Sequence, residues 1–176
     1  MTTPGSDAFD LIVVGAGPGG CATAARVAEA RPDWRIALLE SGPARGNLLV
    51  STPAGLIGLV DAANCHNYLY ASTPQSELGG RQAVQPRGRG VGGSSLINAM
   101  VYIRGQPEDY DSWAAAGCPG WSWDDVLPLF RRSEDNVRGA DAWHGVGGPL
   151  HIDDQWSDTP ASQVFLRAAQ QAGHRL

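Results

Sequence analysis

The feature that most constrains this chain is a glycine triplet set between an apolar run and an alanine-rich stretch. Phe9 to Val14, FDLIVV, is the kind of short apolar segment that makes a buried parallel strand. It leads straight into Gly15, Gly17 and Gly20, spaced G-x-G-x-x-G. Pro18 suits a first helical position, where a missing N–H costs nothing, and CATAARVAEA continues the helix to about Ala30. The helix gives way before Pro32, and RIALLE, Arg35 to Glu40, makes a second strand that ends in an acid. Glu40 stands twenty residues beyond Gly20, where a carboxylate accepts hydrogen bonds from adenosine ribose hydroxyls and repels a 2′-phosphate. The glycines let the backbone approach a pyrophosphate, and the helix N-terminus offers unpaired N–H groups and a favourable dipole. Strand, tight turn, helix and strand together define the start of a Rossmann-like α/β dinucleotide fold.

Composition removes several competing chemistries. All 13 basic side chains are Arg, so the chain has no Lys to reach phosphates in a Walker-type loop or to form a Schiff base. A formal net charge of −5 argues against nucleic acid as a partner. The three cysteines, Cys21, Cys65 and Cys118, have no paired metal-ligand spacing and fit a reducing, cytoplasmic setting. Cys21 reads as a small packed residue beside the loop. The opening MTTPGSDAFD has no basic segment followed by an apolar stretch, and no apolar run approaches membrane-spanning length.

A nicotinamide-binding domain would continue with further helix–strand units, and this chain does not. From Ser41 to about Val91 it is broken by Pro43, Pro53, Pro74, Pro86 and many glycines, with only short apolar pieces. Such an excursion suits a chain draped over a cavity. The aromatic cluster HNYLY, residues 66–70, has no assigned role, and His66 is read as a surface or satisfied histidine.

A second glycine-rich stretch follows, RGRGVGGSSLINAMVYIRG. Gly92 and Gly93 allow another backbone to come close, and Ser94 and Ser95 are expected to cap a short helix starting near Leu96. A second positive helix end would then face an anionic group such as a pyrophosphate or a reduced flavin. The reason for two loops is physical: a large dinucleotide carries charge in two places.

PRGRGVGGSSLINAMVYIRGQPEDYDSW resembles the first signature of the glucose-methanol-choline (GMC) family of flavoprotein oxidoreductases. FDLIVVGAGPGG, LLESG, GWSWDDVLPLFRRSEDN, HGVGGPLHI and FLRAAQQAG are similar to family segments in family order. The resemblance implies an α/β, Rossmann-like FAD-binding domain and FAD as cofactor. It places Gly15, Ala16, Gly17, Gly20, Glu40 and Ser41 on the ADP half of FAD. It places Gly92, Gly93, Ser94 and Asn98, with the backbone of Ala99, Met100 and Val101, along the pyrophosphate and flavin. Ile97 stands where some relatives carry a flavin-linked histidine, which implies dissociable, non-covalent FAD. A local backbone hydrogen bond is the plainer reading of Asn98.

In the last third, SWDDVLPLFRRSEDN carries a capping box from Ser122 to Asp125 and a packed amphipathic helix through Phe130. His144 and His151 flank a turn and are too poorly spaced for a metal. TPASQVFLRAAQQAG is a helix with Thr159 as cap, Pro160 in its first turn and Gly173 at its end. The resemblance implies residues 1–145 as the N-terminal part of the FAD-binding domain, with 41–95 as an irregular cofactor-covering segment, and 146–176 as the start of the substrate domain.

Family members run to roughly three times this length. The His and His-or-Asn pair that takes the alcohol proton, while hydride passes to flavin N5, belongs near the family's C-terminus. No catalytic residue is therefore expected here. The expectation is FAD-dependent oxidation of an alcohol to an aldehyde or ketone, with a complementary C-terminal chain or segment supplying the base. The sequence is more similar to choline and aliphatic alcohol dehydrogenases than to fungal sugar oxidases. Two rivals are a stand-alone dinucleotide-binding module without turnover and an NAD-dependent dehydrogenase. The loop at 92–95 and the unextended sheet pattern argue against the latter.

Overall fold

The computed structural model describes residues 8–61, 64–154 and 159–174. Most of the opening segment read as lacking a leader, and the last two residues, lie outside the described residues. The chain divides into two compact units, Met1–Val101 and Tyr102–Leu176.

The first unit is built on strand β1 (Leu11–Val14), helix α1 (Pro18–Ala30) and strand β2 (Ile36–Leu39). β1 and β2 pair in parallel, Leu11 opposite Ile36 and Val14 opposite Leu39. The two strands and the helix between them match the expected order, with Pro18 at the start of α1. Among the described residues of this unit only one parallel pair forms, so its apolar strand residues are incompletely covered: Val14 is 83% exposed and Ile12 54%. Such residues normally lie inside a larger sheet covered on both faces.

The segment after β2 holds a short helix α2 (Leu56–Val60) and a small antiparallel pair, β3 (Tyr70–Ala71) with β4 (Val84–Gln85). Asn67 ties these pieces together. Its Nδ2 donates to the Leu59 and Val60 carbonyls at 2.9 and 3.1 Å, and its Oδ1 accepts from the amides of Leu69 and Arg87. A buried amide with donors and acceptors all engaged specifies one arrangement of the backbone around it. Here it fixes the strand that carries the second glycine loop.

The second unit contains α3 (Pro107–Ala115), α4 (Trp123–Ser133), β5 (Glu134–Asn136), β6 (Leu150–Ile152) and α5 (Pro160–Gln171). The Ser122–Asp125 capping box is present in full, and Thr159 caps α5 through the Ser162 amide. Tyr110, Trp113, Trp123 and Phe130 pack ring against ring between α3 and α4, the kind of contact that dominates a small core. Beside them Glu134 is fully buried and ion-paired to Arg104 at 2.5 Å. Burial alone would raise its carboxyl pKa. The bonds from Asn136 Nδ2 and the Gly145 amide, with the Arg104 charge, outweigh burial and hold it below the usual carboxylate value.

His144 Nδ1 lies 3.1 Å from the Asp141 carboxylate, which also accepts the amides of Trp143 and His144. The His144 bond, followed by those two amides, holds Asp141 at about 2. The arrangement clasps a loop. Among the described residues no group of three His, Cys, Asp or Glu side chains is placed to hold a metal.

Candidate cofactor site

The site grows from the carboxyl ends of β1 and β2, where open parallel sheets bind ligands. Gly15, at φ +96°, turns the chain out of β1 while its amide donates to the Leu39 carbonyl at 2.7 Å. The third glycine is a packing requirement: a Cβ on Gly20 would lie 1.9 Å from the Gly15 carbonyl oxygen. Between them α1 begins at Pro18, preceded by Gly17 with no side-chain cap, and has no acidic residue in its first turn. The first amides of a helix have no intrahelical acceptor, so Gly19 and Gly20 keep N–H groups for an anion.

The second glycine stretch packs directly on the first. A Cβ on Gly93 would lie 2.6 Å from Gly17 Cα, and one on Gly42 would lie 2.3 Å from the Gly90 nitrogen. The Gly92 amide donates to the Ala16 carbonyl at 2.8 Å, and the Val91 amide to the Pro43 carbonyl at 3.1 Å. At Gly93 and at Gly42 backbone lies so close to backbone that a Cβ has no room.

Glu40 stands at the junction. Its Oε2 accepts the Ala16 amide at 2.9 Å, and its Oε1 accepts the amides of Gly42 at 2.8 Å and Gly90 at 3.1 Å. These backbone bonds, the one from Ala16 foremost and that from Gly42 next, hold its carboxyl below the ordinary value. A carboxylate offers about four lone-pair positions. Glu40 meets the amides of Ala16, Gly42 and Gly90, and the Ser41 amide adds a further bond.

Beside Glu40 opens a cleft of about 350 Å³ lined by Val14, Gly15, Leu39, Glu40, Ser41 and Tyr68. Tyr68 was not singled out from the sequence. Its hydroxyl bonds Ser41 Oγ, and its ring stacks on Tyr70 with centroids 5.1 Å apart. Arg89 places its guanidinium 5.8 Å from the Tyr68 ring and donates to the Ser41 carbonyl at 2.7 Å. The signal was the aromatic cluster itself, but only the pairing of β3 with β4 and of Asn67 with Gly88 brings it to the strand ends.

Two expectations need correction. Ser94 and Ser95 do not cap a helix starting near Leu96. They lie inside a single 3-10 turn, Gly93–Leu96, begun by Gly92 at φ +114°. The left-handed glycine starts the turn earlier, and Ser94 Oγ turns back to accept the Gly88 amide at 3.1 Å. So short a turn has no helix end to offer an anion. His66 is neither exposed nor satisfied: it is 2% exposed, and its Nδ1 has no hydrogen-bond partner.

The structure thus brings Gly15, Ala16, Gly17, Glu40 and Ser41 together with Gly92 and Gly93, with Gly20 on the helix behind them. Asn98, Ala99, Met100 and Val101 follow the 3-10 turn as an exposed stretch. Asn98 Oδ1 accepts the Met100 amide at 3.0 Å, the local bond expected of it, and Met100 takes the uncommon φ of +57°.

The sequence pattern of the family described as GMC oxidoreductase matches residues 9–176. The chain is 41% identical over 182 residues to the mitochondrial choline dehydrogenase of Mus musculus, covering 99% of this chain and 30% of that protein. It is 41% identical over 165 residues to an alcohol dehydrogenase [acceptor] of Pseudomonas putida, covering 93% and 30%. The pyridoxine 4-oxidase structure from Mesorbium loti superimposes with a TM-score of 0.82 at 36% identity, over 93% of this chain and 32% of that one. The chain belongs to the GMC oxidoreductase family and has the fold of its N-terminal FAD-binding portion. FAD is accordingly its cofactor. The chain spans about 30% of the length of these relatives.

The residues present fit that group. The N-terminus of α1 lacks a cap of its own, the glycines leave backbone open to close approach, and the Glu40 carboxylate lines the cleft.

Proposed function

We propose that this chain supplies FAD binding to an enzyme that oxidises an alcohol to an aldehyde or ketone. The observation that carries the reading is the uncapped start of α1 set beside Glu40 and roofed by the second glycine loop. Gly17, Gly19 and Gly20 would meet the pyrophosphate with backbone N–H groups, and Gly15 and Ala16 would shape the turn beneath it. Glu40 would accept a ribose hydroxyl, with Ser41 and Tyr68 walling the adenosine side. Gly92, Gly93, Ser94, Asn98 and the backbone of Ala99, Met100 and Val101 would line the path toward the flavin. Bound there, FAD supplies a two-electron acceptor for a carbon–hydrogen bond, which no side chain can be.

The cofactor is held without a covalent link at Ile97, a buried aliphatic side chain with no nucleophile. Residues 1–145 are assigned to cofactor binding and 146–176 to the beginning of the substrate region. That division is one of role, because β5 and β6 pair across it. A complementary C-terminal chain or segment provides the base that takes the hydroxyl proton. The exposed strand residues Ile12 and Val14 support such a partner, as they suit the interior of a wider sheet.

Relatives named for choline and for alcohols favour a small primary or secondary alcohol as substrate. Three unpaired cysteines favour a reducing compartment such as the cytoplasm, although the mouse relative is named mitochondrial. Among the described residues no helix is long and apolar enough to cross a membrane. The test is anaerobic addition of choline or a primary aliphatic alcohol to the flavin-loaded protein with its complementary region. Bleaching of the flavin absorbance is expected. Flavin binding without bleaching by any alcohol would favour the stand-alone binding module.

A further inference from the structure

Every backbone amide from Gly88 to Gly93 is engaged. Gly88 donates to Ser94 Oγ, Arg89 to the His66 carbonyl, Gly90 to Glu40, Val91 to Pro43, Gly92 to Ala16 and Gly93 to Gly90. Among these acceptors Glu40 is the one charged group. It is also the one that holds amides of both glycine loops, Ala16 on one oxygen and Gly90 on the other. A bond from N–H to a carboxylate is about twice as strong as one between neutral groups. The Gly42 amide bonds the same oxygen as Gly90, so the turn after β2 is drawn into the same contact.

We propose that Glu40 is a positioning residue: its carboxylate fastens the second glycine loop to the first, setting the spacing of both before FAD is bound. The proposal rests on the FAD reading of this cleft and deepens it. Glu40 then acts through Ala16 and Gly90 as well as through any contact with the cofactor. Around it stand the titratable or charged groups Arg89, on the Ser41 carbonyl, Tyr68, on the Ser41 hydroxyl, Cys21, whose thiol donates to the Ala16 carbonyl at 3.3 Å, and His66 behind Gly90. None of these joins the two loops as Glu40 does.

The test is residue-resolved amide hydrogen exchange on the full chain without FAD, comparing wild type with Glu40→Met. The variant keeps an unbranched side chain of similar length but removes both acceptor oxygens, and with them the bonds to Ala16 and Gly90. Exchange at Ala16 and Gly90 should rise roughly tenfold or more, the effect of losing one good hydrogen bond, while Val27 and Ala28 in α1 stay unchanged. An unchanged Gly90 would overturn the proposal, and so would an equal rise in α1, which would mean that Glu40 merely supports the whole unit. Should the variant fail to fold, wild type still decides by NMR titration. The Ala16 and Gly90 amide proton shifts should move in one transition with the Glu40 carboxyl carbon, and shifts that ignore it would contradict the latch. Neither measurement contains FAD, so a failure here is separate from a failure of wild type to bind FAD.

Discussion

Ala16 donates its amide hydrogen to Glu40 Oε2 at 2.9 Å, across 24 residues of sequence. The bond joins the turn after the first strand to the end of the second, two points that a parallel pair brings side by side. A carboxylate that accepts several N–H groups is stabilised in its charged form. The direction of its pKa shift follows from that contact, and a pH prediction follows from the shift.

Glu40 has a folded pKa below its ordinary value, mainly through the amides of Ala16 and Gly42. Its contribution to stability is therefore fully present above the ordinary carboxylate range and is lost as pH falls through the lowered folded value. Glu134, Asp135 and Asp141 are shifted in the same direction. Stability measured by denaturant should hold from neutral pH down to about 5 and then decline toward about 2. Glu40→Gln should flatten part of that decline, and an identical pH profile in the variant would contradict the assignment.

Gly20→Ala should be damaging, because its Cβ would meet the Gly15 carbonyl oxygen at 1.9 Å. Forcing α1 away from β1 is expected to cost about 1–3 kcal/mol and to abolish flavin binding. Gly58→Ala in α2 is the control, since nothing lies within 4 Å of its Cβ. It should stabilise by about 0.5–1 kcal/mol through helix propensity. Urea denaturation together with flavin fluorescence reads both.

Arg104→Met leaves the fully buried Glu134 without its charge partner. Removing one member of a buried pair costs about 3–5 kcal/mol, whereas replacing both with apolar residues is often neutral. Urea denaturation should therefore show Arg104→Met, Glu134→Leu to be more stable than Arg104→Met alone. The reverse order would mean that the remaining bonds of Glu134 satisfy it without Arg104.

Ser122→Ala removes the side chain that accepts the Asp125 amide at the start of α4. A loss of about 1 kcal/mol in thermal or urea unfolding is expected.

Local signals carried much of this fold. G-x-G-x-x-G between apolar and alanine-rich runs, Ser122 before Asp125 and Thr159 before Pro160 act within a few residues, and each produced the expected element. Non-local features were hidden. Tyr68 reaches the cleft only because Asn67 pairs with Gly88 and β3 with β4, and nothing near residue 68 encodes that partner. The parallel pairing of β5 with β6 was hidden for the same reason. The second glycine loop misled in a different way. Serines after glycines suggest a cap, but Gly92 and Gly93 both take left-handed angles and begin the turn first. The place of Glu40 at the end of the second strand was legible from its spacing, while its grip on Gly90 depends on a contact 50 residues away.

The most direct test of the central claim is the visible absorption spectrum of the purified protein, recorded before and after denaturation and removal of the polypeptide. Non-covalent FAD should give a two-banded flavin spectrum whose chromophore passes wholly into the protein-free fraction. A protein that stays colourless when FAD is added, or a flavin that remains attached to the denatured chain, would contradict it.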